Sequence, residues 1–105
     1  MTFIHSYIIN CYNTANITSS ESSGIGGYRF GYRNSGTCYI ENCHNTGIVV
    51  GSYSGGIIGP RTGESNVSSN NVYIRKCYNT GNISNNSGGI AGREFGYNNS
   101  GNCYI

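Results

Sequence analysis

The residues with the most specific chemistry in this chain are its five cysteines, three of which recur at a regular interval. Cys11, Cys43 and Cys77 follow one another at nearly equal spacings, each close to a third of the chain. If the repeats stack as parallel strands, neighbouring cysteines lie about 4.8 Å apart, which is within the Cα range of a disulfide. Stacking in register also points the three side chains the same way, and free cysteine packs well as a small buried residue. The sequence therefore leaves open a row of buried thiols, which we call the cysteine ladder, or disulfides between neighbours.

Acidic and imidazole groups are too few and too scattered for a catalytic or metal site. The chain has no Asp, and its acidic residues are Glu21, Glu41, Glu64 and Glu94. They fall at different places in the repeat, so we expect them not to converge, whereas calcium sites and glycosidases need gathered carboxylates. His44 follows Cys43, but no second cluster completes four metal ligands. We predict a protein that is not an enzyme and has no metal or cofactor.

Asn-x-Ser/Thr sequons provide candidate N-glycosylation sites, which matter only in a glycosylating compartment. These asparagines are Asn16, Asn66, Asn82, Asn85 and Asn98.

A row of threonines, Thr14, Thr46 and Thr80, raises the hypothesis of ice binding. The row two residues further on is irregular, because Ile48 interrupts two asparagines. Ice binding is therefore the weaker alternative.

The charge pattern predicts no nucleic-acid partner. The net charge is only +2, and Arg75 and Lys76 are the only adjacent basic residues, whereas phosphate binding uses clustered Lys and Arg. No apolar run approaches the roughly 20 residues of a membrane span. The first residues lack the basic region of a signal peptide, so we expect no signal peptide in this chain.

Internal repetition dominates the sequence and indicates a stacked architecture. The dipeptide Tyr-Ile opens each copy, at Tyr7, Tyr39, Tyr73 and Tyr104. One domain over 1–105 then contains repeats at about 7–38, 39–72 and 73–103. There is no Leu, while β-branched residues, Tyr, Gly and Asn abound, which favours strands and tight turns. We predict an all-β fold, a parallel β-solenoid of three coils of about 32 residues plus the start of a fourth.

Within each coil we expect strands over 39–43, 47–50 and 56–58 of the middle copy, with equivalent residues stacked across copies. Asn13, Asn45 and Asn79 should form a side-chain amide row. The apolar positions should form three interior ladders, which are Ile25, Ile57 and Ile90; Ile17, Val49 and Ile83; and Ile8, Ile40 and Ile74. An antiparallel sandwich of hairpins is the competing architecture.

The segments Cys77–Ile83 and Ser87–Gly92, with their counterparts in the other copies, carry a family resemblance. Cys-Tyr-Asn-Thr-Gly-Asn-Ile followed by Ser-Gly-Gly-Ile-x-Gly resembles the GLUG-type repeats of bacterial surface proteins. It is also similar to the Asn-Cys-Tyr-x-Thr-Gly repeats of giant-virus proteins. The resemblance implies an extracellular or surface-associated β-solenoid on a cell or virion, and it carries over no catalytic residue.

Two functions remain after these exclusions. The first is a structural protein whose uncapped coils stack head-to-tail with further copies into a filament, since repeat proteins normally cap their ends and we recognise no cap in the sequence. The second is an adhesin-like or carbohydrate-binding surface module that presents Tyr, Asn and Thr rows to glycans. The sequence favours the fibre.

Overall fold

The computed structural model describes residues 4–32, 36–64, 71–96 and 102–105, and these ranges contain strands and turns but no helix. The all-β prediction is confirmed. In chain order the strands are β1 Ile4–Ile9, β2 Tyr12–Asn13, β3 Gly36–Glu41, β4 His44–Asn45, β5 Asn71–Arg75, β6 Tyr78–Asn79 and β7 Asn102–Tyr104.

The strands form two parallel sheets in which each repeat adds one strand to each sheet. The larger sheet has the order β1-β3-β5-β7 and the smaller sheet has the order β2-β4-β6. The pairing is in register, so that Tyr7, Tyr39, Tyr73 and Tyr104 are successive partners. We call the level that contains β1 and β2 the first rung, and number the rungs upward to the fourth, which is β7.

The strands predicted over 47–50 and 56–58 are wrong in extent. Only single bridges form there: Val49 pairs with Ile17 and Ile83, and Ile58 pairs with Gly26 and Ala91. Around Ile58, glycines at 55, 56 and 59 weaken an extended ladder, because a strand interior gains little from a residue without a side chain. In contrast, His44–Asn45, which we assigned to a connection, is strand β4.

Left-handed backbone conformations recur at equivalent places in each rung. Four rows of residues have φ between 53° and 75°. The rows are Asn10, Asn42 and Lys76; Glu21, Tyr53 and Asn86; Arg29, Arg61 and Glu94; and Gly31, Gly63 and Gly96. Non-glycine residues adopt this region uncommonly, so the chain turns in the same way at the same points of every repeat.

The buried core is best covered at the second rung, which has another rung on each side. Ile40, Val49 and Ile57 are fully buried, while Ile74 and Ile17 are 2% and 6% exposed. The partly buried Ile8, Ile25 and Ile90 pack against this core. Ile83 departs from the predicted interior ladder, because it is 45% exposed. Its bridge to Val49 covers one side, and no described residue of a fourth rung covers the other.

An ion-pair network ties three rungs together near one row of left-handed residues, against the expectation that the carboxylates stay apart. Arg61 contacts Glu94 at 2.7 Å and Glu64 at 3.4 Å. The largely buried Glu64 also contacts Arg29 Nε at 2.9 Å, as an ion pair rather than a well-aligned hydrogen bond. The hydrogen bond to Glu94 raises the pKa of Arg61 above its ordinary value. Three arginines, the third being Arg93 on Glu94, compensate these two carboxylates.

Within the described ranges, no helix has the length and apolar character needed to cross a membrane.

Candidate functional site

Stacked aromatic side chains form two rows on the surface, and they follow from the in-register pairing of the two sheets. In the larger sheet the rings of Tyr7 and Tyr39 lie 4.8 Å apart, and those of Tyr39 and Tyr73 lie 5.2 Å apart. In the smaller sheet His44 lies between Tyr12 and Tyr78, at 5.4 and 4.9 Å with interplanar angles of 10° and 3°. These ring spacings are close to the strand separation of about 4.8 Å, because the stacked residues are partners in register on neighbouring strands.

A shallow groove lies beside the second row. It has a volume of about 310 Å³ and is lined by Asn10, Cys11, Tyr12, Asn42, His44 and Tyr78. Asn42 Nδ2 donates to Asn10 Oδ1 at 2.6 Å, so amide and aromatic groups line one surface. Tyr12 and Tyr78 are 67% and 53% exposed. Because the three rings stack face to face, the groove is bordered by aromatic side chains beside amide donors and acceptors, which can hold a polar ligand such as a sugar.

The larger sheet adds a cation to its tyrosine row. The Arg75 guanidinium lies 4.9 Å from the centre of the Tyr39 ring and 5.6 Å from that of Tyr73. It also donates to Glu41 at 2.8 Å. Both partners are partly exposed, so this pair adds modestly to stability and mainly fixes Arg75 over the rings.

The predicted amide row is present along the smaller sheet, at the second residue of each of its strands. Asn13 Nδ2 donates to Asn45 Oδ1 at 2.6 Å, and Asn45 Nδ2 donates to Asn79 Oδ1 at 2.6 Å. Each Nδ2 also donates to a carbonyl two residues on, at 2.7–2.9 Å. The fully buried Asn45 is thereby satisfied, as a buried amide must be.

The cysteine ladder contains free thiols rather than disulfides. Cys11 is exposed, Cys43 is fully buried and Cys77 lies between them in exposure. Each thiol donates to the carbonyl two residues before it, at 3.2–3.4 Å. Cys43 and Cys77 also approach carbonyls of the rung below, Ile8 O at 3.8 Å and Ile40 O at 3.7 Å. The thiols therefore have carbonyl acceptors, which satisfies them without a disulfide.

Burial lowers the reactivity of two cysteines. Desolvation raises the pKa of the Cys43 and Cys38 thiols above the usual 9.0, and the thiolate is the reactive form. With a maleimide at pH 7 to 8 and native protein, we expect rapid modification of Cys11 and little modification of Cys43 or Cys38. Mass spectrometry of the digested protein measures this, with protein unfolded in guanidinium as the control in which all five cysteines react. Equal rates in the native protein would contradict the burial of Cys43.

The structure places the sequons in different surroundings. Asn16, Asn82 and Asn85 are exposed, and Asn16 Oδ1 accepts a hydrogen bond from the Ile48 amide at 3.1 Å. Asn66 and Asn98 lie outside the described residues.

The threonine row considered for ice binding is exposed at Thr14, Thr46 and Thr80. The row two residues further on is exposed as well, at Asn16, Ile48 and Asn82. The surface next to the threonines is therefore irregular.

No group of three or more His, Cys, Asp or Glu side chains that could hold a metal ion occurs among the described residues. Sequence reasoning missed the groove and the Arg61 network, since both depend on side chains from different rungs. The nearly equal spacing of Tyr12, His44 and Tyr78 was the available signal for the second aromatic row. No protein-family model, curated protein or solved structure matches the chain.

Proposed function

We propose that the chain is a parallel β-solenoid and a non-enzymatic structural protein, whose copies join head-to-tail into a fibre at a cell or virion surface. The observation that carries the proposal is that both sheets have open edges. Among the described residues, nothing pairs with the outer edges of β1 and β2 at one end or of β6 and β7 at the other. Such edges readily pair with another chain unless they are blocked.

The solenoid part of the proposal is supported by agreement among independent features. In-register parallel pairing repeats with each copy, and the rows of left-handed residues place turns at equivalent points. A parallel pair needs a crossover of a dozen or more residues, and one coil of chain between successive strands supplies it, with no helix among the described residues. The dimensions of 42 × 26 × 17 Å suit a flat stack, since four rungs at about 4.8 Å are thin compared with the width of the coil.

The fibre part rests on the size and shape of the two ends. A thin stack has most of its unpaired backbone groups on its two faces, and joining copies would satisfy them along the whole rod. A contact between unlike ends does not close on itself, so it produces a filament. The GLUG-like pattern agrees with an extracellular setting for such a rod.

Backbone direction identifies which residues of β1 face the open edge. The Asn10 amide donates upward to Glu41 O of the second rung at 3.1 Å. Because amides alternate in direction along a strand, the Ile8 amide also faces β3, while Ile9 faces the open edge. Ile9 is 47% exposed, so a change there probes assembly with little effect on the core.

Ile9→Pro should shorten or abolish filaments, because proline removes the open-edge amide and adds bulk beside it. The matched control Ile9→Ala removes the same side chain but keeps the amide, and should still assemble. Negative-stain electron microscopy and sedimentation measure filament length, and circular dichroism checks that both variants fold. Filaments of normal length from folded Ile9→Pro would show that the open edge of β1 is not part of the contact between copies.

A second candidate, carbohydrate binding, is favoured by one observation, the groove beside Tyr12, His44 and Tyr78. Its exposed tyrosine side chains and the Asn10–Asn42 amide pair suit a glycan chain. Tyr78→Ala should reduce retention on a glycan array while leaving the core intact, because Tyr78 is 53% exposed. If the wild-type protein stays monomeric at high concentration and binds a glycan, the second candidate replaces the first.

A further inference from the structure

The cysteine ladder keeps the register of the smaller sheet. Each of its three cysteines immediately precedes a strand of that sheet, and strands β2, β4 and β6 pair in register. The His44 amide donates to Cys11 O at 3.1 Å, and the Tyr78 amide donates to Cys43 O at 3.2 Å. Neighbouring cysteines of the ladder are therefore stacked one strand spacing apart, about 4.8 Å.

The three sulfur atoms repeat at the same spacing as the backbone. Each thiol donates to the carbonyl two residues before it, at 3.4 Å for Cys11, 3.3 Å for Cys43 and 3.2 Å for Cys77. Because the same bond to the same backbone position gives the side chains one orientation, neighbouring Sγ atoms are also separated by about 4.8 Å. The two outer members, Cys11 and Cys77, are about 10 Å apart.

This separation suits an ion held between two sulfur atoms better than a bond between them. A disulfide brings its sulfur atoms to about 2.05 Å, so both thiols would have to leave their carbonyl acceptors. Bonds from a metal to thiolate sulfur are about 2.3 Å long, so a metal ion in line between two thiolates holds them about 4.6 Å apart. The ladder already has nearly this spacing.

The number of ligands selects the class of metal. Two thiolates in line are a complete ligand set for a soft monovalent ion such as Cu(I) or Ag(I), and thiolate ligands suit Cu(I). Zinc and calcium take at least four ligands, whereas the described residues contain no cluster of three or more His, Cys, Asp or Glu side chains. The expectation of no metal site concerned sets of four ligands, and a two-ligand site lies outside it.

We propose that the cysteine ladder binds a soft monovalent metal ion between Cys43 and one of its neighbours, Cys11 or Cys77. Cys43 is the shared ligand, because it has a ladder cysteine on each side. On binding, two thiols release their protons to water, and the two thiolates and the ion form a complex with one net negative charge. Burial raises the pKa of the Cys43 thiol, and a hydrogen bond with the Cys11 backbone opposes that rise, so the same backbone group favours the thiolate of the complex.

The groove beside the second aromatic row gives an ion a path to the ladder. Cys11 is one of its lining residues, next to the Asn10–Asn42 amide pair. Cys43 is fully buried, so its thiolate is shielded from competing ligands in water. All the ligands come from one chain, and the site therefore does not depend on fibre formation.

Titration of the reduced, native wild-type protein with Cu(I) under argon tests the site, with bicinchoninate as a coloured competing chelator. We expect the protein to withdraw one copper ion per chain from the chelator. X-ray absorption at the copper edge should then find two sulfur neighbours. A wild-type protein that withdraws no copper, or copper with a single sulfur neighbour, would overturn the proposal.

Single substitutions separate the shared ligand from its neighbours. Cys11→Ser and Cys77→Ser each leave one adjacent pair, so each variant should still hold one ion per chain. Cys43→Ser leaves two ladder thiols about 10 Å apart, so its bound copper should fall to the level of the blank. Equal losses from all three variants would show that the thiols bind copper independently, and Cys43 would not be a shared ligand.

A double variant keeps the test decisive if Cys43→Ser, which changes a fully buried residue, fails to fold. Cys11→Ser combined with Cys77→Ser changes the two more exposed members and leaves Cys43 without an adjacent ladder thiol. It retains Cys38 and Cys103, so it also reports binding by thiols outside the ladder. Circular dichroism checks its folding, and we expect it to withdraw no copper. One ion per chain in the folded double variant would place the copper elsewhere and overturn the proposal.

Discussion

Gly47→Ala is expected to destabilise the protein severely for the addition of a single methyl group. The added Cβ would lie 1.9 Å from Ala15 O and 2.6 Å from its carbonyl carbon. These are backbone atoms of the rung below, so the conflict is relieved only by separating the rungs. Overpacking a core costs about 1–3 kcal/mol and sometimes more, and we expect a loss at or above the upper end of that range. Urea unfolding followed by circular dichroism measures it.

Gly27→Ala is the control for this substitution. It makes the same chemical change in the first rung, but a Cβ there meets no atom within 4 Å. We therefore expect its midpoint of unfolding to stay close to that of the wild type. Similar losses from both variants would mean that the rungs at Gly47 are not in close contact.

Ile57→Ala should lower the free energy of unfolding by about 2–5 kcal/mol, as is typical for truncation of a buried isoleucine. Ile57 is fully buried and belongs to the cluster that includes Ile40, Ile58 and Ile74. Its amide and carbonyl also join the rungs, through hydrogen bonds of 3.1 Å to Ile90 O and from Ile25 N. The rungs above and below limit how far the cavity can collapse, which favours a large effect.

The comparison for Ile57 is Ile83→Ala, the same change at a side chain that is 45% exposed. Less apolar surface is buried there, so the loss should be clearly smaller. Thermal unfolding of both variants gives the ranking, with about 4–8 °C expected for each kcal/mol in a domain of this size. If the Ile83 variant loses as much stability as the Ile57 variant, Ile83 is covered in solution, and a filament contact is the first explanation to test.

The sequence alone determined which residues are neighbours between rungs. Residues of one type at one period must stack when the strands pair in parallel, so the asparagine row and the alignment of Ile40 with Ile74 were readable from spacing. Chain turns were readable only in part. Glycine and asparagine tolerate left-handed backbone, but the row of Arg29, Arg61 and Glu94 adopts it with residue types that do not signal a turn.

Only the tertiary structure decided what depends on distance, direction and level in the stack. The repeat period does not say which way a carbonyl points. An alignment that treats Ala and Gly as near equivalents therefore could not show that a side chain at position 47 would collide with Ala15 O. The position of a rung in the stack explains why Val49 is buried while its row partner Ile83 is exposed: Val49 has a described bridge partner on each side, whereas Ile83 has one on one side only. The Arg61 network was equally hidden, since Glu64 and Glu94 come from different positions of the repeat and meet only because long side chains reach between rungs. Spacing specifies a neighbour, whereas contact also needs the direction of each backbone group and the reach of each side chain.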